Sequence, residues 1–370
     1  MAKPKFYSLE KLLEYNADYN IIYGERSNGK TTAVLLYGLE QHIRSAYTDQ
    51  LGIIRRWEED LKGSKASQLF SAIVNLGYVS KLTHNLFNNI VYRSSKWYLC
   101  NYDENGKLVD IATEPFAFAF TLTSEEHYKS TSFPNIKNIL FDEFITRSYY
   151  LPEEFIKFQN LLSTIIRLKD NVKIFMCGNT VNRFCPYFEE MGLNRIKTQK
   201  IGTIDLYKYG EQKLTVAVEY SDFNGTKKAS NKYFAFDNPK LKMIKEGSWE
   251  IDIYPHLPVK YYPTEVLYKY YIIFAETILQ CEIIFSRELQ TTFTFIHRKT
   301  TEIKEDDNGI IFSQEVRPER KYRLFLHKPT DKISNRIWSY YTTNKVFYQD
   351  NQIGEIVRNF IMQQKKAITL

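Results

Sequence analysis

One short segment constrains the fold of this chain more than any other part of its sequence. Residues 24–31 have the spacing G-x-x-x-x-G-K-[ST], which ends in Lys30 and Thr31. The apolar run 19–23 before this segment predicts a buried strand, and residues 32–40 after it predict a helix. A strand, a glycine-containing loop and a helix in this order form a site for the phosphates of a nucleotide. The sequence therefore predicts a mainly parallel sheet between helices, built around a phosphate-binding loop.

The residue types in this loop match the chemistry of a nucleoside triphosphate and its metal ion. Glycines let the backbone N–H groups point at the β-phosphate, and the dipole at the start of the helix favours negative charge there. We expect Lys30 to reach the β- and γ-phosphates and the Thr31 hydroxyl to bind Mg²⁺. The predicted nucleotide-binding residues are Gly24, Glu25, Arg26, Ser27, Asn28, Gly29, Lys30, Thr31 and Thr32. ATP and Mg²⁺ are therefore the predicted cofactors, and a chance loop that binds no nucleotide is the alternative.

A second apolar run, further along the chain, ends in two carboxylates. Residues 138–141 predict a buried strand, and Asp142 and Glu143 follow it directly. In a chain with a phosphate-binding loop this pattern indicates a Walker B strand, in which Asp142 binds Mg²⁺ directly or through water. Glu143 then orients and deprotonates the attacking water, which favours hydrolysis over transfer to another substrate. A solvated turn with two surface carboxylates is the alternative.

A polar residue after the next predicted strand has two interpretations. The apolar run 172–177 predicts a strand, and Asn179 follows it. If this strand lies beside the one that ends at Asp142, the Asn179 amide is placed to contact the γ-phosphate or the attacking water. An asparagine that caps a turn explains the same residue equally well. Asn179 is therefore a candidate sensor of the γ-phosphate, with a turn as the alternative.

The composition narrows the class of protein without identifying a partner. Of the 370 residues, 44% are hydrophobic and 25% are charged, which is ordinary for a soluble globular protein. No apolar run reaches the about 18 residues of a membrane span, and the N-terminus lacks the apolar stretch of a secretory signal. The four cysteines lack C-x-x-C spacing, so we expect reduced thiols in a cytosolic compartment and no zinc site. The formal charge of +7 favours an anionic partner only weakly.

Several segments in the N-terminal half share the motifs of one protein family. They are 24–31, 53–56, 132–136, 141–145, 178–181 and 186–188. Together these segments resemble the DNA-packaging ATPases of φ29-like tailed phages, which are ring-shaped motors of the additional-strand, catalytic-glutamate class. The resemblance implies that ATP hydrolysis is coupled to the movement of double-stranded DNA into a procapsid. It also implies a homo-oligomeric ring, a pentamer in the family, that works in the host cytoplasm while docked on the capsid portal.

The resemblance gives a meaning to two basic residues that the sequence alone would not single out. Ring motors complete each active site with an arginine of the neighbouring subunit, which stabilises the charge that develops on the γ-phosphoryl group. Arg167, just before the predicted strand 172–177, matches the family's position for this residue. Lys129 is a second candidate for the subunit interface. Both are therefore predicted to act in trans.

Two adjacent arginines close the predicted strand 52–56. One of them is a candidate for a contact with the γ-phosphate of its own subunit, and the other for a contact with DNA. An ordinary ion pair of Arg55 or Arg56 with Glu58 or Glu59 is the favoured alternative.

The chain is predicted to have three parts. Residues 1–205 form the ATPase domain, 206–258 a connector rich in lysine, and 259–370 a C-terminal domain. Strand patterns followed by two helical patterns predict an α+β fold for the last part, which is compatible with the RNase H-like nuclease domain of related packaging motors. Such a nuclease needs at least about three clustered carboxylates to hold its metals.

The carboxylates near the ends of C-terminal elements show no convincing cluster. They are Glu276, Glu282 and Asp350. We therefore predict a degenerate nuclease-like domain kept for DNA or portal contact. Two alternatives to the packaging motor stay open: a terminase with an active nuclease, and a regulatory nucleotide-binding switch without motor activity. The absence of an N-K-x-D sequence speaks against a GTPase switch.

Overall fold

The computed structural model describes residues 7–26, 28–148, 150–211, 213–222, 249, 252–257, 259–304, 306–314, 317–319, 321–325 and 329–364. The chain divides into two compact units, Met1–Glu250 and Ile251–Leu370. All four cysteines are buried and free. Among the described residues, no helix is both long and apolar enough to cross a membrane.

The first unit is built on one large sheet, to which the described residues contribute ten strands. They are β1 Tyr19–Gly24, β2 Gln50–Arg55, β3 Asn89–Arg93, β4 Lys96–Tyr102, β5 Leu108–Ile111, β6 Ala117–Thr121, β7 Ile136–Asp142, β8 Lys173–Asn179, β9 Ile204–Tyr209 and β10 Leu214–Ser221. Their order is β3-β4-β6-β2-β7-β8-β1-β10-β9, with β5 beside β4. The six central strands in this order, β6-β2-β7-β8-β1-β10, are parallel to one another. They are flanked by β4 on one side and β9 on the other, and both of these are antiparallel to their neighbours. The predicted mainly parallel sheet is therefore confirmed.

Helices cover both faces of this sheet. They are α1 Glu10–Leu13, α2 Lys30–Arg44, α3 Gly63–Gln68, α4 Ser71–Asn75, α5 Tyr78–Leu82, α6 Glu154–Ile166 and α7 Pro186–Glu190. Short 3₁₀ segments lie at Glu58–Leu61, Leu122–Tyr128 and Asn194–Lys197. Side chains of a strand alternate between the faces, so Ile21 of β1 packs in the core with α6 while Ile22 packs in the core with α2. Because both faces are covered, the central strands read as continuous apolar runs in the sequence.

The strand register brings the predicted site residues to one edge of the sheet. Parallel strands present their carboxyl ends on the same side, and Gly24 of β1 lies opposite Asn179 of β8. Asp142 of β7 lies opposite Cys177 of β8. The ends of β1, β7 and β8 therefore meet, as the prediction for Asn179 required.

The predicted connector contains two strands of this sheet. β10 pairs in parallel with β1, and β9 pairs antiparallel with β10 at the sheet edge. Residues 204–221 are therefore built into the first unit, although the connector was predicted to begin at 206. Most of its remaining length, 223–248, lies outside the described residues, and the predicted domain boundaries stay a prediction.

The described residues of the second unit form a mixed sheet and two α-helices. Its strands are β11 Val266–Phe274, β12 Thr277–Ser286, β13 Thr291–Arg298, β14 Ile311–Phe312, β15 Tyr322–Arg323 and β16 Val346–Tyr348, and its helices are α8 Lys332–Thr342 and α9 Asn351–Gln364. The order is β15-β14-β11-β12-β13-β16, with an antiparallel meander β11–β13 at its centre. β14 and β16 join this meander in parallel. The predicted α+β arrangement is confirmed, whereas its kinship with RNase H stays a prediction.

Candidate nucleotide-binding site

The loop between β1 and α2 is shaped by its glycines and contacts Ser221, the last residue of β10. Gly29 has φ 90°, a left-handed conformation that glycine adopts without strain, and α2 begins at the next residue. A Cβ atom on Gly24 would lie 2.8 Å from the Ser221 carbonyl oxygen, so β10 requires glycine there. The Ser221 hydroxyl accepts a hydrogen bond from the Asn28 amide at 3.1 Å and donates one to the Tyr23 carbonyl. Ser27, which the sequence assigned to the same loop, lies outside the described residues.

Lys30 is buried at the base of this loop. Its ammonium donates to the Glu25 carbonyl at 2.6 Å, to the Asn28 side-chain oxygen at 3.1 Å and to the Asn179 side-chain oxygen at 3.3 Å. Burial lowers the pKa of Lys30 to about 8, because the charged form is poorly hydrated there. An ammonium group held by neutral acceptors retains strong attraction for an anion. Asn179 lies beside this group, and its role as a sensor of the γ-phosphate stays a prediction.

The hydroxyl of Thr31 and the carboxylate of Asp142 form the second part of the site. Thr31 donates a hydrogen bond to Asp142 Oδ1 at 2.7 Å. Asp142 is only 4% exposed, and burial raises the pKa of its carboxyl. A hydroxyl and a carboxylate that converge in this way are the hard oxygen ligands that Mg²⁺ prefers. The donor set therefore fits the predicted magnesium ion.

Glu143 lies beside Asp142 and is bridged to it by an arginine. The Arg55 guanidinium contacts Asp142 Oδ2 at 2.6 Å and Glu143 Oε2 at 2.8 Å. Glu143 itself has a left-handed backbone, with φ 58°, and an exposed side chain. The carboxylate predicted to act on water thus faces the open side of the site.

The favoured alternative for the two arginines, an ion pair with Glu58 or Glu59, is wrong. Arg55 pairs with the site carboxylates, and Glu58 pairs instead with Lys62 at 2.7 Å. Arg56 is buried and binds Glu154. Strand β2 lies next to β7 in the sheet, which places Arg55 beside residues far away in the sequence.

The phosphate-binding loop and the carboxyl ends of β7 and β8 surround a cleft of about 370 Å³. Its lining residues are Arg26, Asn28, Gly29, Lys30, Thr31, Thr32, Asp142, Glu143, Cys177, Gly178 and Asn179. The structure therefore brings together seven of the ten residues that the sequence predicted for nucleotide and metal binding, whereas Gly24 and Glu25 belong to the loop without lining the cleft. It adds Arg55, which the sequence left with several roles, and Ser221, which no local motif marks.

The two residues predicted to act in trans lie together, away from this cleft. Arg167 follows the last residue of α6, and its guanidinium donates to the Lys129 carbonyl at 3.2 Å. Both side chains are exposed, and the Lys129 ammonium pairs with Glu126 at 3.0 Å. Helix α6 has 13 residues and is therefore about 20 Å long, with Glu154 at its other end.

The C-terminal carboxylates named by the sequence lie on different elements of the second unit. Glu282 is buried on β12, where it accepts hydrogen bonds from Tyr261 at 2.7 Å and Gln280 at 2.6 Å. Asp350 accepts from the Ile353 backbone at the start of α9, and Glu276 lies in the turn between β11 and β12. Within the described part of the chain, no group of three or more His, Cys, Asp or Glu residues is placed to hold a metal ion.

The fold and the site together define a P-loop protein of the mainly parallel α/β class. Its family follows from the sequence: the chain belongs to the podovirus DNA-encapsidation proteins (Gp16), whose sequence profile matches residues 1–202. The predicted kinship with φ29-like packaging proteins is therefore confirmed.

Individual relatives agree with this family. The chain is 29% identical over 191 residues to the DNA packaging protein of Bacillus phage phi29, a match that covers 51% of this chain and 50% of the relative. It is 26% identical over 268 residues to the DNA packaging protein of Bacillus phage B103, covering 64% and 76% of the two chains. The chain thus spans about half the length of the phi29 relative that it matches.

Two solved structures share the fold of the whole chain. They are described as the Phi-28 gp11 DNA packaging motor and the bacteriophage Phi-29 viral genome packaging motor assembly. Each aligns with a TM-score of 0.55 and 17% identity, over 97% and 98% of this chain and 98% of the solved chain. At this identity the likeness establishes the fold of both units and no more.

Proposed function

We propose that this protein is an ATP-hydrolysing motor that moves double-stranded DNA into a viral procapsid. One observation carries the hydrolytic part: Lys30, Thr31 and Asp142 converge at the phosphate-binding loop, with Glu143 at the open side. The family membership and the names of the relatives support the DNA-packaging part.

The residues of the cleft have distinct tasks in this proposal. The Lys30 ammonium pairs with the β- and γ-phosphates, and the Asn179 amide orients the γ-phosphate or the water that attacks it. Thr31 and Asp142 hold Mg²⁺, which neutralises phosphate charge when it is bound. Glu143 accepts a proton from water as the water oxygen bonds to the γ-phosphorus and the bond to the β–γ bridging oxygen breaks. The Arg55 guanidinium reduces the repulsion between the two neighbouring carboxylates.

Subunit contacts complete the proposed motor. Arg167 follows the last residue of α6 and does not line the cleft of its own chain, so we assign it to the cleft of a neighbouring copy. Lys129 shares the same surface and is the second residue for this interface. We place the ring, a pentamer by family resemblance, on the capsid portal in the host cytoplasm, with the second unit contacting DNA or portal as a degenerate nuclease-like domain.

The first experiment measures ATP hydrolysis by the full chain with and without double-stranded DNA. We expect DNA to stimulate hydrolysis several-fold and added salt to weaken the stimulation, because phosphate contacts release counterions. Glu143→Gln removes the base and keeps the shape of the side chain, so hydrolysis should fall to a small residual rate. Hydrolysis that ignores DNA at every salt and protein concentration contradicts the motor and favours a nucleotide-binding switch.

A second experiment tests the role of Arg167 in trans. Wild-type and Arg167→Ala chains are mixed in known ratios before DNA-stimulated hydrolysis is measured. Because each altered chain would impair its neighbour's site within a coupled ring, activity should fall more steeply than the fraction of wild-type chains. Arg195→Ala, which alters another exposed arginine of the first unit, is the control. A strictly proportional loss contradicts the assignment.

A further inference from the structure

The proposed catalytic role of Glu143 does not explain its unusual backbone conformation. Consecutive residues of a strand point to opposite faces, yet Asp142 and Glu143 both reach the same Arg55 guanidinium. The left-handed backbone of Glu143, at φ 58°, turns its carboxylate to the side of Asp142. A residue other than glycine adopts this conformation only when its surroundings hold it there.

The adjacent arginine supplies that support. Arg56 Nη1 donates to the Glu143 carbonyl at 3.2 Å, and Arg56 Nη2 donates to the Phe144 carbonyl at 2.8 Å. One guanidinium therefore holds two successive carbonyl groups of the turn. The two arginines therefore have different contacts. Arg55 binds the carboxylates of Asp142 and Glu143, and Arg56 binds the main chain at Glu143 and Phe144.

Glu154 fixes the orientation of Arg56 in turn. Arg56 Nε lies 3.0 and 2.8 Å from the two Glu154 carboxylate oxygens, and Nη2 lies 2.8 Å from Oε1. The same carboxylate accepts hydrogen bonds from the Tyr187 hydroxyl at 2.9 Å and the Leu151 backbone at 2.6 Å. Arg56 and Glu154 are 5% and 3% exposed, so water does not compete for these contacts.

Stability alone is a weak reason for such a pair. Two buried charges lose their hydration, and apolar side chains of similar volume often stabilise a fold equally well. What apolar side chains lack is the pair of hydrogen bonds to the Glu143 and Phe144 carbonyls. We infer that Arg56 and Glu154 are positioning residues, which hold the main chain of Glu143 in the turn that aims its carboxylate and tie this turn to the first residue of α6.

This inference rests on the proposed hydrolysis and is tested on the full chain. Arg56→Met with Glu154→Gln replaces the ion pair by a neutral one, and the glutamine oxygen still accepts from Leu151 or Tyr187. Misplacing a catalytic group by about 1 Å costs about 100-fold in rate, so we expect kcat to fall by roughly that factor. KM for ATP and the Kd of a fluorescent Mg-nucleotide should stay within about twofold, since the phosphate-binding loop is untouched.

A cycle with Glu143→Gln separates positioning from a general loss of structure. If the pair acts through Glu143, the Arg56→Met/Glu154→Gln change costs nothing further once Glu143→Gln is present. Lys157→Gln is the matched control, because it breaks another ion pair of α6, with Glu125 at 3.0 Å, that does not reach the Glu143 turn. An unchanged kcat in the double variant, or an equal further loss on the Glu143→Gln background, overturns the inference.

Amide exchange distinguishes failure of this inference from failure of the proposed function. In the double variant we expect faster exchange at residues 143–147 and unchanged exchange in β1 and β8. If the wild-type chain does not hydrolyse ATP, the proposed function fails, and exchange still tests the support of the turn. Equal exchange at 143–147 in variant and wild type overturns the inference whatever the activity.

Discussion

Buried charges are compensated differently at the candidate site of the first unit and at Glu282 of the second unit. In the first unit, burial raises the pKa of Asp142 and lowers the pKa of Lys30 to about 8, so the fold opposes both charges. In the second unit, the nearby His297 imidazole, at 3.9 Å, and hydrogen bonds from Tyr261 and Gln280 outweigh burial and lower the pKa of Glu282 to about 2. Charges that the fold alone leaves poorly compensated are typical of a site that awaits a ligand.

The contrast follows from the positions of these residues in their sheets. Asp142 ends β7, at the edge where the loop and helix N-terminus of a parallel sheet meet. Glu282 lies within β12, and Tyr261, Gln280 and His297 reach its carboxylate from the sheet and the segment before it. A carboxylate at a strand end faces an open cleft, whereas one within a strand is satisfied by its neighbours. Burial of a carboxylate therefore says little about function until its partners are known.

The largest expected effect compares one matched substitution in each unit. Asp142→Asn removes a charge that the proposed magnesium site needs, so hydrolysis should fall by at least about 100-fold. Glu282→Gln makes the same chemical change in a satisfied cluster and should leave hydrolysis within about twofold. Steady-state ATP hydrolysis with DNA measures both. An equal loss in the two variants would end the functional contrast between the units.

A smaller effect concerns the pH dependence of nucleotide binding. Lys30 is protonated below its pKa of about 8, and only the charged form attracts phosphate. Affinity for a Mg-nucleotide should therefore be full below pH 8 and fall by up to about tenfold for each pH unit above it. Lys30→Arg keeps its charge throughout this range and should flatten the profile. Fluorescence titration between pH 7 and 10 gives the Kd values, and a wild-type profile as flat as that of the arginine variant contradicts the prediction.

The parts of the site that the sequence predicts are those encoded by neighbouring residues. Gly29, Lys30 and Thr31 form a local pattern with a fixed backbone geometry, and Asp142 and Glu143 follow a recognisable apolar strand. Strand ends of one parallel sheet converge, so the placement of Asn179 could also be predicted. The continuous apolar runs predict buried parallel strands for the same physical reason.

The parts that the sequence does not predict depend on which strands become neighbours. Arg55 meets Asp142 because β2 lies beside β7, and charged residues close to Arg55 in sequence gave the wrong partner. Ser221 supports the phosphate-binding loop because β10 lies beside β1. The composition of the sequence after residue 200 did not indicate this strand pairing. Glu154 reaches Arg56 through the packing of α6. Each of these contacts joins residues far apart in the chain, and local periodicity carries no information about them.

The smallest expected effect concerns the acid stability of the second unit. The folded pKa of Glu282 is about 2, below the ordinary value of 4.5, so its charged form stabilises the fold. This contribution is complete above pH 4.5 and is lost as the pH falls from 4.5 through 2, because the carboxyl is then protonated in both the folded and the unfolded state. Allowing for screening by solvent, we expect the free energy of unfolding to fall by about 1 kcal/mol over this range.

The Glu282→Gln variant tests this expectation, because its side chain cannot titrate. Between pH 5 and 2.5, the backbone amides of β12 and β13 should lose less protection against hydrogen exchange in this variant than in the wild type, after correction for intrinsic exchange rates. The same loss in both chains would mean that Glu282 is not held by its neighbours, and the distinction between a satisfied carboxylate and a functional one would no longer separate the two units.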